Sequence, residues 1–214
     1  MRTLRRSWSG LVAVAIGWGI TGAICTGQTS IDWTGLGAND LYNNTDNWAG
    51  NNEPGNVNES ARFNIPGTFN VEMPGLVDRI VSDLFVLDGT ISFASSATIF
   101  IHTYTVDDDA FVDTDLTIEN TNGGDFAMVV NSDLNVRSDG VLTVTDSTSV
   151  STGNLFAGRS SGGNGTVIVD DATLDVSNVV ILGSSGSKGT LTFQNGSSFN
   201  GITAKITLVS GSTV

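Results

Sequence analysis

A short phrase recurs along this chain: glycine, threonine or valine, an apolar residue, a polar residue, and a second apolar residue. It reads GTISFAS from Gly89, GVLTVTD from Gly140, GTVIVDD from Gly165 and GTLTFQN from Gly189, with a related TDLTIEN from Thr114. The apolar pairs follow one another by 25, 26, 25 and 24 residues, and a sixth pair precedes the first by 22. In chain order, the pairs are Phe69/Val71, Ile91/Phe93, Leu116/Ile118, Leu142/Val144, Val167/Val169 and Leu191/Phe193. A period of this length is typical of folds built from stacked units.

A second feature repeats in the same phase. Gly158 follows Gly140 by 18 residues, and Gly183 follows Gly165 by 18. Apolar and polar residues alternate only over short runs bounded by Gly, Ser, Asn and Asp, which favours short strands joined by turns. Two independent features with one period indicate a true structural repeat.

The repeat predicts an all-β chain that forms a parallel β-helix, or β-solenoid, with turns of about 25 residues. Successive turns would stack about 4.8 Å apart, so that equivalent residues of the apolar pairs form internal columns. The recurrent glycines are expected at a corner where a positive φ or a close backbone approach excludes a side chain. The alternative is an ordinary β-sandwich, which also has short strands and glycine-rich turns.

The composition excludes several classes of protein. Among 214 residues, 22 acidic side chains face 9 basic ones, a net charge of −13, which argues against nucleic acid as a partner. Hydrophobic residues make up 39% of the chain and charged residues 14%, which is too apolar for a disordered acidic tail.

Residues 1–27 have the order of a bacterial export signal: three arginines, an apolar run at 11–24, and then small residues. The run is shorter than the ~20 residues that span a bilayer, so we expect cleavage and no transmembrane helix in the mature chain. The alternatives are a buried N-terminal helix and lipid modification at Cys25, which the bulky Ile24 disfavours. Cleavage would leave 6 basic and 22 acidic residues and no cysteine, a net charge of −16. We therefore expect a bacterial protein that is secreted or held at the cell surface.

The mature chain is expected to divide into a capping segment, 28–66, and solenoid repeats, 67–214, which are clearest at 140–199 and incomplete in the last turn. Trp33, Tyr42 and Trp48 lie in the first segment among Asn and Asp residues. A stacked array needs a terminal element over its apolar end, and large aromatic rings are suited to that role. Alternatively, the three rings stack on glycans. An uncapped last turn would allow self-association through the open solenoid end.

The run Asp107, Asp108 and Asp109, with Asp113 nearby, is the best candidate for a calcium site, because Ca²⁺ takes several oxygens from a loop. The alternative is a solvated turn between strands. His102 is the only histidine, and we expect it to point outward from an apolar strand. After cleavage of the signal the chain has one histidine and no thiol, which do not supply a zinc site or a nucleophilic triad. Calcium is therefore the one cofactor that the sequence suggests.

The clearest units run apolar, apolar, Gly-x-Ser-x-Gly, and then Gly-Thr-Leu-Thr-apolar. The residues that carry this pattern are Ile181, Leu182, Gly183, Ser185, Gly186, Gly189, Thr190, Leu191, Thr192 and Phe193. Together with a weaker copy at 156–169, they resemble the autotransporter/PEP-CTERM-associated repeat of bacterial secreted proteins. The Trp-containing segment at 31–63 is similar to the one that often precedes such repeats. The resemblance implies a surface-displayed, passenger-like β-solenoid, and it supplies no catalytic residues.

The expected function is that of a non-enzymatic, exported structural or adhesive module, with cell-envelope or extracellular polysaccharide as its partner. One alternative is a β-helical polysaccharide lyase or hydrolase. In such an enzyme Asp113 or Asp115 would act with a basic residue from a neighbouring turn, and Arg137 lies about one unit after Asp113. The other alternative is a carbohydrate-binding module that uses Trp33 and Trp48.

Overall fold

The computed structural model describes residues 28–73, 78–95, 102–121, 125–159, 163–184, 186–201, 205–208 and 213–214. The expected export signal, 1–27, lies outside them. The strands are β1 (Thr29–Asp32), β2 (Glu59–Met73), β3 (Arg79–Val81), β4 (Leu84–Ser95), β5 (His102–Val106), β6 (Ala110–Val112), β7 (Asp115–Asn120), β8 (Phe126–Val136), β9 (Gly140–Thr145), β10 (Ser149–Ala157), β11 (Gly165–Asp170), β12 (Thr173–Leu182), β13 (Gly189–Gln194), β14 (Ser198–Asn200) and β15 (Lys205–Leu208). Two short 3₁₀ helices, Thr45–Asn47 and Ala49–Asn51, precede β2. Within the described ranges there is no helix of the length and apolar character needed to cross a membrane.

Parallel pairing arranges these strands in three stacks, which we call faces 1, 2 and 3. Face 1 contains β1, the first parts of β2 and β4, β6, the last parts of β8, β10 and β12, and β15. Face 2 contains the last parts of β2 and β4, followed by β7, β9, β11 and β13. Face 3 contains β3, β5, the first parts of β8, β10 and β12, and β14. The chain visits the faces in rotation, so the prediction of a β-solenoid is confirmed, with about five turns of about 24 residues.

The predicted internal columns are formed on face 2. Ile91, Leu116, Leu142, Val167 and Leu191 are in register with one another and buried. The second column comprises Phe93, Ile118, Val144, Val169 and Phe193, of which only Phe193, near the last turn, is half-buried. Each fully buried side chain of this size stabilises the fold by about 1.5–3 kcal/mol, so the columns hold neighbouring turns together.

The recurrent glycines stand at the corner that leads into face 2. Gly140, Gly165 and Gly189 are aligned with one another at the start of their strands. A Cβ at Gly165 would lie 2.1 Å from the Val136 carbonyl oxygen and 2.3 Å from the Gly158 nitrogen. Of the two predicted reasons for glycine, close backbone approach therefore applies at these three positions. Gly89 combines both reasons, because its φ is +83° and a Cβ would lie 2.5 Å from the Ile65 carbonyl oxygen.

The solenoid begins before residue 67. β1 is already paired with β2 on face 1, and β2 runs without interruption from Glu59 to Met73. The segment expected to act only as a cap thus contributes strands to the first turns, and the residues between β1 and β2 lie over the end of the solenoid.

Candidate functional site

Trp33, Tyr42 and Trp48, the predicted glycan-stacking residues, form one buried cluster at the N-terminal end of the solenoid. Their exposed fractions are 2%, 0% and 1%. The Trp48 ring meets Trp33 edge-on at 5.0 Å and Tyr42 at 4.9 Å, and both tryptophan rings lie 5.5 Å from Phe63 in the first full turn. None of the three rings offers a face to a sugar, so their geometry does not support glycan stacking and instead fits the capping alternative.

Hydrogen bonds fix the loop that carries these rings. The buried Asn47 side chain donates to the carbonyl oxygens of Asn39 at 2.7 Å and Leu41 at 3.0 Å, and its amide oxygen accepts from the Gly37 N–H at 2.7 Å. The Trp48 indole N–H donates to the Tyr42 carbonyl oxygen at 2.7 Å. These bonds satisfy the Asn47 amide and the Trp48 indole within the segment, which helps the loop to be buried against an apolar end. The buried Trp33 indole N–H has no partner among the described residues.

The Tyr42 hydroxyl lies in the interior, 3.1 Å from the Pro54 carbonyl oxygen and 3.3 Å from the Tyr104 hydroxyl. Burial and the neighbouring Tyr104 raise the pKa of Tyr42 well above its ordinary value. Burial also raises the pKa of Tyr104. Both phenols therefore stay neutral over the physiological pH range and act as hydrogen-bonding core residues rather than as acids or bases.

The cap is attached to the first full turn at several points. Leu41 forms a parallel bridge with Glu72 on face 2, and the Tyr42 N–H donates to the Glu72 carbonyl oxygen at 2.9 Å. Arg79, at the start of face 3, forms an ion pair with Glu53 at 3.1 Å. Pairing of β1 with β2 provides the contact on face 1. The segment is thus bound to all three faces.

Asp107, Asp108 and Asp109 form the corner between faces 3 and 1, where the aspartate side chains bridge successive turns. The Asp83 carboxylate accepts from the Asp109 N–H at 3.2 Å, and the Asp109 carboxylate accepts from the Asp133 N–H at 3.0 Å. The Asn154 amide then donates to the Asp133 carboxylate at 2.7 Å. We call Asp83, Asp109, Asp133 and Asn154 the corner ladder. Its carboxylates satisfy backbone N–H groups that no strand partner reaches.

The pKa of the Asp108 carboxyl is raised. The causes are loss of solvation and then the negative charges of four neighbours, Asp109, Asp83, Asp107 and Asp133. Asp113 lies at the other end of β6 and points its carboxylate at Arg137 of the next turn, with contacts of 2.5 and 3.2 Å. In the part of the chain that the structure describes, no group of three acidic, histidine or cysteine side chains is placed to hold a metal ion. Calcium binding by Asp107, Asp108, Asp109 and Asp113 stays a prediction.

The prediction that His102 points outward is wrong. His102 begins β5 on face 3 and shares the inward side of that strand with Tyr104 and Val106, and it is only 4% exposed. Its position follows from the alternation of β5, since every second residue of a strand faces the same side. The imidazole is therefore part of the core.

A surface that the sequence analysis did not identify lies on the outside of face 1. Phe85, Phe111, Asn135 and Phe156 alternate with core residues of their strands, and the register aligns them on successive turns. Phe156 is the most covered of the four, at 7% exposed. Phe85 and Phe111 stack in parallel at 5.2 Å. Arg137 lies over the Phe111 ring at 4.5 Å, and Arg159 lies over the Phe156 ring at 4.1 Å. The sequence pattern from which this surface could have been inferred is a recurring triplet, such as Leu84-Phe85-Val86.

Between these two arginine–phenylalanine pairs lies a shallow depression of about 180 Å³. Its lining consists of Asn135, Val136, Arg137, Phe156 and Arg159. We call it the face 1 depression. Two guanidinium groups and an amide meet there at the surface, above the largely buried Phe156 ring, which makes it the best candidate binding site among the described residues.

Comparisons of this chain with known protein families, with curated proteins and with solved structures found no match.

Proposed function

We propose that this protein is an exported, non-enzymatic β-solenoid that serves as a rigid, adhesive module at a bacterial surface. The observation that carries the proposal is the continuous alignment of internal columns through about five turns beneath a fitted cap. Such a rod presents long side faces and resists bending, because every turn is hydrogen-bonded to the next. The resemblance of 140–199 to autotransporter/PEP-CTERM-associated repeats and the signal-like order of residues 1–27 support export.

The contacts of the titratable side chains support a non-enzymatic role. His102 is buried in the core, Asp109 accepts a backbone N–H of the next turn, and Asp113 is held by Arg137 at 2.5 Å. The two carboxylates therefore have structural partners, and His102 has a core position in which its Nε2 lacks a hydrogen-bond partner among the described residues. The lyase or hydrolase alternative draws on the contact between Asp113 and Arg137, since it joins an acid and a base from adjacent turns.

Activity assays separate the two functions. The secreted protein is incubated with polygalacturonate and with alginate, with calcium and with EDTA, and reducing ends and unsaturated products are followed. We expect no cleavage above the heat-treated control. Depolymerisation that disappears in Asp113→Asn or Asp115→Asn, with unchanged thermal stability, would establish the enzymatic alternative.

Export is tested on the full chain expressed with its own N-terminus. We expect a secreted product whose mass corresponds to cleavage near residues 25–27. Retention of residues 1–27 in the cell-associated protein would contradict the proposal of a cleaved signal.

A further inference from the structure

We propose that the face 1 depression binds a carboxylate-bearing sugar unit of an acidic polysaccharide, through Arg159, Arg137 and Asn135, with Phe156 supporting Arg159 from below. This inference rests on the proposed adhesive function and gives it a ligand class and a site. It replaces the buried rings of the cap as the place where glycans bind.

The charge of the depression favours an anion. Arg62, Arg79 and Arg137 are each in an ion pair with a carboxylate. Arg159 is exposed, and in the described ranges its guanidinium contacts a ring but forms no ion pair. Arg137 and Arg159 against Asp113 leave a local formal charge of 2 − 1 = +1. A guanidinium without a carboxylate partner, in a chain with a net charge of −13, is suited to bind one carboxylate.

The amount of positive charge limits the ligand class. A single unpaired cation does not match the dense charge of a nucleic acid, which requires clustered Lys and Arg. It matches a chain in which each anionic group is accompanied by a neutral, hydroxylated ring. A uronate unit has this composition.

The shape of the depression suits a sugar ring. Asn135 stands on the turn between Phe111 and Phe156, so about 9–10 Å separates the turns that carry those two rings. The asparagine is the shorter side chain and forms a notch whose floor offers an amide to hydroxyl groups. Phe156, which is only 7% exposed, lies beneath the Arg159 guanidinium and supports it rather than facing the ligand. The notch is open on a flat face, so a polymer can continue beyond it along the neighbouring turns.

The cationic groups are held before any ligand arrives. The Asp113 carboxylate takes two hydrogen bonds from Arg137 while Phe111 supports the other side of the guanidinium. Arg159 is supported by Phe156 at 4.1 Å. Groups fixed in this way lose little conformational entropy on binding, which favours affinity.

Calorimetric titration of the mature protein tests the proposal. The probes are oligogalacturonate and the same oligosaccharide with its carboxyl groups reduced to alcohols. We expect the acidic probe to bind and the reduced probe to bind at least about tenfold more weakly, because the charge-assisted hydrogen bonds are lost. Arg159→Gln and Phe156→Leu are each expected to weaken binding of the acidic probe by about tenfold.

Arg62→Gln is the matched control. It removes the same charge from the same face, three turns from Asn135, and it is expected to leave binding unchanged. Thermal unfolding of each variant verifies that it is folded. Two results would overturn the proposal: equal binding of the acidic and reduced probes, or an equal loss in Arg62→Gln and Arg159→Gln. A third result, no binding of the acidic probe, would overturn it too.

The outcomes distinguish this inference from the proposed function. Cleavage of the acidic probe, with binding that depends on Arg159, would support the site and overturn the non-enzymatic role. No binding and no cleavage would overturn the site and leave the structural role standing.

Discussion

At the scale of single residues, the glycines at the entrance to face 2 determine how closely the turns approach. Gly165 has no room for a methyl group, since backbone atoms of two other segments lie 2.1 and 2.3 Å from its ideal Cβ position. Gly55, by contrast, has no atom within 4 Å of that position. The repeat of glycine is thus a steric requirement of the corner.

We expect Gly165→Ala to lower the free energy of unfolding by at least about 2 kcal/mol, because rigid backbone must move to admit the methyl group. Gly55→Ala is the control and should change it by less than about 0.5 kcal/mol. Chemical denaturation measures both. Equal free energies of unfolding for the two variants would show that the backbone around Gly165 has room for a methyl group.

The surroundings of Asp108 predict the sign of one pH dependence of the free energy of unfolding. Its carboxyl pKa is raised by partial burial and by four neighbouring aspartates. A carboxyl whose pKa is higher in the folded state stabilises the fold below its ordinary pKa of 3.8, and that contribution is lost as the pH rises through the folded value. Ionised Asp108 therefore weakens the fold at neutral pH.

Asp108→Asn should raise the melting temperature modestly at pH 7, and the difference from the parent protein should vanish below about pH 3.8. Asp88→Asn removes the same charge at an exposed position of β4 and should show a smaller difference at pH 7. Melting curves across this pH range provide the measurement. A difference in melting temperature between Asp108→Asn and the parent protein that persists or grows in acid would contradict a raised pKa for Asp108.

At the scale of elements, the segment between β1 and β2 closes the N-terminal end. Its rings continue the aromatic core, since Phe63 lies 5.4 Å from Phe93, and Phe93 lies 5.3 Å from Tyr104. The corner ladder fulfils a similar need on the side of the rod, where bends interrupt the strand pairing. The capping segment covers apolar rings at the end of the sheet, and the corner ladder provides hydrogen-bond acceptors for N–H groups at its bends.

Trp48→Ala should destabilise the protein by about 3–5 kcal/mol, as expected for removal of a fully buried large ring. Leu36→Ala, at a residue that is 82% exposed in the same segment, should change stability by less than about 0.5 kcal/mol. Thermal and chemical unfolding compare the two. Loss of glycan binding in Trp48→Ala with unchanged stability would favour the glycan-stacking role over the cap.

At the scale of the whole molecule, the two ends of the solenoid differ. Phe193 and Phe199 are only half-buried near the last turns, with their rings 5.7 Å apart. Within the described residues, β14 is paired along one edge only, with β12. A strand edge of this kind is a template for another strand.

We propose that the protein self-associates through this end and expect a concentration-dependent rise in mass by sedimentation velocity. Asn200→Lys, at an exposed position of β14, should reduce association, because a charged edge residue opposes strand pairing. Thr90→Lys, at an exposed position of β4 that is paired on both sides, should not. A monomer at all concentrations, or equal effects of the two substitutions, would contradict this expectation.

The sequence alone predicted the period, the two internal columns of face 2 and the need for glycine at their entrance. These features are readable because stacking repeats the same local requirement every turn: a buried apolar pair after a corner without room for a side chain. The same logic of stacked turns led us to expect an N-terminal cap and allowed Asp113 and Arg137, about one unit apart, to approach each other.

Only the tertiary structure decided which residues of the shorter strands face outward. β6 has three residues, too few for alternation to reveal its direction, and β10 changes register between Thr152 and Asn154 where it passes from face 3 to face 1. Such features set whether a side chain enters the core, as Ala110 does, or lies on the surface, as Phe111 does. The corner ladder and the face 1 depression join residues from separate turns, so their existence depends on how the corners bring those turns together in space.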